Sequence, residues 1–153
     1  MPLSHIEHML VQTVDIAKTV EWYVRVLGMR AGFTPDFKFP VQWLYLGDND
    51  VVHVTEGGAA ASENRRRYVG QQSEALSGTG VIDHVAFRCT GLAEMLEHLQ
   101  AEGVEFKQRQ VNDQGLYQLF MFDPNGIKVE LNFANAEAAG IEAEVMASQL
   151  PGN

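Results

Sequence analysis

Apolar positions recur along the chain with two periods. Over Ile16–Leu27, the residues Ile16, Val20, Tyr23, Val24 and Leu27 fall at i, i+4, i+7, i+8 and i+11, one stripe of a helix. Asp15 precedes that stripe as a cap and Gly28 ends it. The helical spacing returns in Leu92, Met95, Leu96 and Leu99, and Gly103 closes this second helix before a strand at Val104–Gln108. Elsewhere the period is two, as strands require. Ile82, His84, Ala86 and Arg88 alternate with Val85, Phe87 and Cys89, while Lys128, Glu130 and Asn132 alternate with the wholly apolar set Ile127, Val129, Leu131 and Phe133. In the opening strand Ile6, His8, Leu10 and Gln12 share one face, opposite Glu7, Met9 and Val11, and neither face is clearly the apolar one. Asp123-Pro124-Asn125-Gly126 carries Pro and Gly where a tight turn needs them, which predicts a hairpin.

These patterns are a duplication. Ile6-Glu7-His8-Met9-Leu10 matches Ile82-Asp83-His84-Val85-Ala86 at an offset of 76, and a helix-period segment with a Gly stop follows each. At the same offset, Trp43–Asp50 faces Leu119–Gly126, and Val51–Val54 faces Lys128–Leu131 at 77. Each copy runs strand, helix, then strands joined by tight turns. The predicted boundaries are module one at about 4–56, a linker at about 57–79, module two at about 80–133 and a C-terminal Ala/Glu-rich helix at about 134–149. The linker is rich in Ala, Ser, Gly and Gln, with a helical turn around Ala59–Tyr68, and the last helix would dock on a partner or on the sheet.

Composition narrows the class. With 153 residues at 46% hydrophobic content, the chain can bury a core as one compact domain. Its apolar stretches stop far short of the run of about 18 that would span a membrane. A formal charge of −9 would repel nucleic acid and anionic lipid, and the basic run Arg65-Arg66-Arg67 reads as a solvated loop. Cys89 is the single cysteine, so no internal disulfide forms, and it reads as a small buried hydrophobe. Met1–Val14 shows no basic segment followed by an apolar one, so the expected compartment is the cytoplasm.

The duplication also places chemistry. Symmetry pairs His8 with His84 and His53 with Glu130. Imidazoles with a carboxylate form a shell suited to Zn, Ni, Co, Mn or Fe as divalent ions. Two histidines and one carboxylate would leave positions open for a substrate or for O₂. Gln12, Arg88, Lys128 and Asn132 are polar neighbours on the same strand faces. Tyr117, Trp43 and Tyr45 either line a pocket or pack. His5 and His98 read as surface residues.

The run Ile6-Glu7-His8-Met9-Leu10-Val11, with Asp15, Tyr23, Leu27-Gly28, Asp83-His84-Val85-Ala86-Phe87 and Asp123–Leu131, resembles the vicinal oxygen chelate superfamily. That group includes glyoxalase I, bleomycin and fosfomycin resistance proteins, methylmalonyl-CoA epimerase and type I extradiol dioxygenases. The resemblance spans His5 to Phe133. It implies an α+β fold of two βαβββ modules in tandem, forming a curved, cup-like mixed sheet with helices on its outer face, around a divalent metal and usually in a homodimer. The family's ligand positions fall on His8, His53, His84 and Glu130. Dioxygenases of the family use two histidines and one glutamate, which would leave His53 as an acid/base or pocket residue. Glyoxalase I usually has a carboxylate where His53 stands, and basic and amide groups where Gln12 and Gly57 stand, so glutathione is not implied. The dioxygenases' catalytic tyrosine has no sure counterpart, since Tyr117 is near its place but Phe120 is nearer.

The resemblance implies bidentate chelation of a small substrate through adjacent oxygens. Glu130 would be the base of a lyase or isomerase, whereas a dioxygenase would bind a catecholate and O₂ on Fe²⁺. Arg88 and Lys128, with Gln12 and Tyr117, are the candidate substrate contacts, the first two for a carboxylate. The alternative from another class is a metal-free protein that binds or sequesters a small molecule on the same fold.

Overall fold

The computed structural model describes residues 4–70, 75–111 and 115–146. The chain divides into two units, Met1–Ser77 and Gly78–Asn153. In the first, β1 (Met9–Thr13) leads into α1 (Ile16–Leu27), then β2 (Arg30–Ala31), β3 (Val41–Leu46), β4 (Asn49–Glu56) and α2 (Glu63–Val69). Its sheet has the order β1-β4-β3-β2, with β1 parallel to β4 and the other pairs antiparallel. In the second, β5 (His84–Arg88) leads into α3 (Leu92–Ala101), then β6 (Phe106–Val111), β7 (Leu116–Phe122), β8 (Lys128–Ala134) and β9 (Val145–Met146). That sheet has the order β5-β8-β7-β6-β9, again with its first strand parallel to its neighbour. The two chain paths share the same βαβββ path, as the sequence predicts, with α2 added after the first and β9 after the second. No helix among the described residues is long and apolar enough to cross a membrane.

Register makes the repeat quantitative. Across β1, β4 and β3, Leu10, His53 and Trp43 are direct partners, and across β5, β8 and β7, Ala86, Glu130 and Phe120 are. Trp43 is therefore equivalent to Phe120, not to Leu119 as the sequence offset of 76 suggests. The shift to 77 precedes the turn, and the β3–β4 pair shows a register irregularity at Leu44/Tyr45 that the β7–β8 pair lacks.

The α1 helix begins and ends where its sequence predicts. The Asp15 carboxylate accepts from Lys18 N at 2.9 Å, and Gly28 takes a left-handed φ of 69° that lets the next backbone amides close on Tyr23 and Val24. Its buried face is displaced from the expected stripe: Thr19, Trp22, Tyr23 and Val26 are covered while Val24 is exposed. Turning the helix by about one residue buries the indole of Trp22, which removes more apolar area from water than Val24 would, in a unit whose core also holds Leu44, Val52 and Val54. In the second unit, Leu92 and Leu99 join Leu119, Met121, Val129, Leu131 and Phe133 in the core.

Two expectations fail here. Over its described part, the predicted C-terminal helix at 134–149 is instead a single 3-10 turn at Asn135–Ala138 followed by the strand β9, which pairs with β6; Ala147, Ser148 and Gln149 lie outside the described residues. The reason is a remote cap. Gly91 offers no side chain to the start of α3, so Glu137 Oε2 accepts from Gly91 N at 2.6 Å and Leu92 N at 3.1 Å. The chain then turns at Gly140, which has a φ of 77°.

The arginine run is likewise not a solvated loop. Residues 63–69 of the predicted linker form α2, capped by Ser62, and Arg65 is buried at 2% exposure, while Arg66 donates to Ala59 O at 2.7 Å and Arg67 is exposed. Arg65 Nη2 donates to Gln12 Oε1 at 3.2 Å, but Nε and Nη1 have no partner among the described residues. Burying an incompletely bonded guanidinium is unfavourable. Arg65→Met should therefore raise stability by about 1 kcal/mol, read as a higher urea midpoint at unchanged slope.

Candidate active site

The second unit carries the more organised group. Glu130 lies mid-strand in β8 on the face opposite Val129 and Leu131, flanked by Ala86 and Phe120. Its side chain is 8% exposed, so both oxygens need partners. Gln118 Nε2 donates to Glu130 Oε1 at 2.7 Å from the diagonal position on β7, and His84 Nε2 lies 2.8 Å from Oε2 from the diagonal position on β5. The methyl group of Ala86, directly opposite Glu130, is small enough to let the His84 ring lean across. His84 is fixed from its other side by Asp83 Oδ1, 2.8 Å from Nδ1, and from its edge by Phe120, whose ring stands T-shaped at 6.0 Å.

Asp83 also receives Lys128 Nζ at 2.7 Å. The Lys128 ammonium, and then the His84 imidazole, hold the Asp83 carboxyl below its usual range.

The first unit treats the equivalent positions differently. Because β4 lies between β1 and β3, His53 is sandwiched: Trp43 stacks on it at 4.2 Å and 3°, and His8 at 3.9 Å and 20°. His53 Nε2 is 2.7 Å from Asp50 Oδ2, while Glu7 Oε2 lies 3.6 Å from His8 Nδ1. Burial pushes the His53 imidazole below its ordinary pKa, with Asp50 opposing that shift, and the His53 bond in turn lowers Asp50.

The donor set can be tested against a divalent ion. His84 and Glu130 fit: a carboxylate anchors the histidine's Nδ1, as ligating histidines require, and Nε2 and Oε2 are adjacent and oriented by outer partners. His8 and His53 do not converge as they stand, since parallel stacked rings direct their in-plane lone pairs side by side, and Asp50 engages Nε2 of His53. Among the described residues no three His, Cys, Asp or Glu side chains are clustered as a metal site.

The remaining expected contacts separate. Tyr117 is fully buried on the opposite face of β7, its hydroxyl donating to Gln108 Oε1 at 3.0 Å and Glu142 O at 3.1 Å, so it belongs to the core and not to a pocket wall. Gln12 is a structural strut, donating to Ala75 O at 2.7 Å and accepting from Arg65, and a Cβ on Gly57 would approach its own Cβ to 2.9 Å. Lys128 is engaged with Asp83, while Arg88 is exposed on the His84 face of β5. Cys89 is half-buried, and burial raises its thiol pKa. Asp83 and Gln118 were not among the expected site residues. Asp83 stands in the repeated acid-His pair, and strand alternation sets Gln118 with Phe120 on the face opposite Tyr117, so both signals were in the sequence.

The family model described as Glyoxalase/Bleomycin resistance protein/Dioxygenase superfamily matches residues 5–131. The chain belongs to that superfamily. Among solved structures, the lactoylglutathione lyase of Agrobacterium tumefaciens is 16% identical at a TM-score of 0.63, over 87% of this chain and 96% of that one. The fosfomycin resistance protein FosX of Listeria monocytogenes is 16% identical at 0.62, over 86% and 94%. TnmS3, an antibiotic-binding protein from Streptomyces sp. CB03234, is 17% identical at 0.61, over 88% and 98%. At these identities the likeness is one of fold. No curated protein matches the sequence.

Within this superfamily member, the bond from Gln118 should support the Glu130 carboxylate. Gln118→Leu should cost about 1–3 kcal/mol of unfolding free energy in metal-free buffer, measured by urea denaturation.

Proposed function

We propose that the protein is a divalent-metal-dependent lyase or isomerase that acts on a small substrate bearing adjacent oxygens. The observation that supports this most is the His84 Nε2 to Glu130 Oε2 approach of 2.8 Å, braced by Asp83 and Gln118. His84 and Glu130 would hold the ion, with His8 and His53 as the candidate contributors from the first unit. The ion supplies Lewis acidity toward a substrate oxygen.

The residues' own work is proton transfer. Glu130 takes a proton from a carbon next to a carbonyl, and Gln118 keeps the carboxylate aligned by holding Oε1 while Oε2 remains the reactive oxygen. His84, its Nδ1 fixed by Asp83, keeps Nε2 turned toward that same oxygen, so that the two would share the ion until Oε2 leaves it to take the proton. Ring cleavage by a dioxygenase is less well supported, because the aromatic ring at His84 is Phe120, which has no proton to give, and the Tyr117 hydroxyl is in the core. A homodimer, a small-molecule partner and a cytoplasmic setting belong to the same reading.

Elemental analysis of protein purified without chelator tests it. About one transition-metal ion per chain is expected in the wild type and none in His84→Ala or Glu130→Gln, with His8→Ala and His53→Ala reporting whether the first unit contributes. No oxygen uptake is expected with catechols. Absence of metal after reconstitution would overturn the proposal and leave a metal-free binding protein.

A further inference from the structure

The first unit contains a cavity of about 290 Å³ whose walls differ in kind. One wall is aromatic: Phe37 lies 5.1 Å from Tyr68 and 6.0 Å from Trp43, and Phe39 lies 5.7 Å from Tyr68, centroid to centroid. The other carries His8 and His53 with the acids Glu7 and Asp50, and no Lys or Arg is among the described lining residues. The aromatic wall is held in place by a strained residue. Lys38 adopts a φ of 61°, the one non-glycine residue at positive φ among those described, and so turns the chain between Phe37 and Phe39. Its amide donates to Asp36 Oδ1 at 3.1 Å and its carbonyl accepts from Asn64 Nδ2 at 2.9 Å, which ties this loop to α2 beside Tyr68.

We propose that this cavity binds a flat aromatic group of one or two fused rings, neutral or cationic, on the substrate. Size sets the ring number: about 150 Å³ is enough to hold benzene, and this space is roughly twice that. The wall sets the chemistry, since aromatic faces reward a stacked or edge-on ring and attract a cation. The two acids set the charge by disfavouring a carboxylate near them. That the guest is the enzyme's substrate rests on the function proposed above, but its docking on Phe37, Phe39 and Tyr68 requires no metal.

Calorimetric titration with 2-naphthalenemethanol, 2-naphthylmethylamine and 2-naphthoate separates these statements. The alcohol and the amine should bind, and the naphthoate about tenfold more weakly or not at all. Tyr68 is 67% exposed, so Tyr68→Ala should fold normally while weakening the alcohol about three- to tenfold. Phe122→Ala, at an exposed aromatic of the second unit, should leave binding unchanged. Equal affinity for all three probes, no binding of any, or no effect of Tyr68→Ala would overturn the proposal. Repeating the titration on EDTA-treated protein and on His84→Ala keeps the two readings apart. Ring binding without metal binding sinks only the metal proposal, and metal binding without ring binding sinks only this one.

Discussion

A carboxylate set in the middle of β8, between the methyl of Ala86 and the ring of Phe120, is the constraint around which the second unit's polar face is arranged. Removing an ionised carboxylate from water costs several kcal/mol unless its oxygens find donors. Neither direct cross-strand neighbour of Glu130 is polar, so the donors must come diagonally. That geometry selects Gln118 on one flank and His84 on the other, and it requires the opposite residue on β5 to be as small as alanine. The histidine drawn in is then anchored by Asp83, and Asp83 is balanced by Lys128. A single buried carboxylate accounts for three other polar side chains, on β5, β7 and β8, and for Asp83 just ahead of β5. It also leaves one carboxylate oxygen and one imidazole nitrogen side by side, which is the chemistry the site offers.

The first unit meets the same register with a different solution. His53 stands where Glu130 does, and its neighbours Trp43 and His8 cover both faces of its ring. Burial between these rings favours a neutral imidazole, and the Asp50 hydrogen bond opposes that shift. Asp50 engages Nε2, so His53 is held by an acid on the ring edge and by aromatic surface above and below. Duplication thus preserved the backbone ladder while the side chains diverged, one copy toward an acid/base pair and the other toward a ring stack.

Much of this was legible in the sequence because it follows from periodicity. The helix at Ile16–Leu27, the hairpin at Asp123–Gly126 and the core face Val129, Leu131 and Phe133 all express spacing and turn chemistry. Matching the two copies singled out His8, His84, His53 and Glu130 as one set, and the structure sets His84 beside Glu130 and His8 beside His53. What was not legible depended on long-range partners. The sequence does not show that Glu137 will cap α3, which is why an Ala/Glu-rich segment with good helix propensity gives way to a 3-10 turn. It does not show that Arg65 will face inward toward Gln12, since three consecutive arginines ordinarily stay in water. Tyr117 is a different case, since alternation along β7 by itself sets it opposite Gln118 and Phe120, on the face that packs into the core.

The departures from local rules in the first unit share a location. Lys38, with its left-handed backbone, lies in the nine-residue connection between β2 and β3, and Arg65, with its buried guanidinium, lies on α2. Neither segment belongs to the repeated βαβββ frame, and the connection between β6 and β7 is only four residues long. Phe37, Phe39 and Tyr68 come from these same added segments. A duplicated frame fixes where the ligand-type residues stand, and it leaves its loops free to vary. Strain and unsatisfied polarity are retained where the surrounding contacts hold them in place, and here those contacts also build an aromatic wall beside His53. On the function and the ring site proposed above, the repeated strands would carry the reaction chemistry, while the inserted segments would set this chain's choice of ligand.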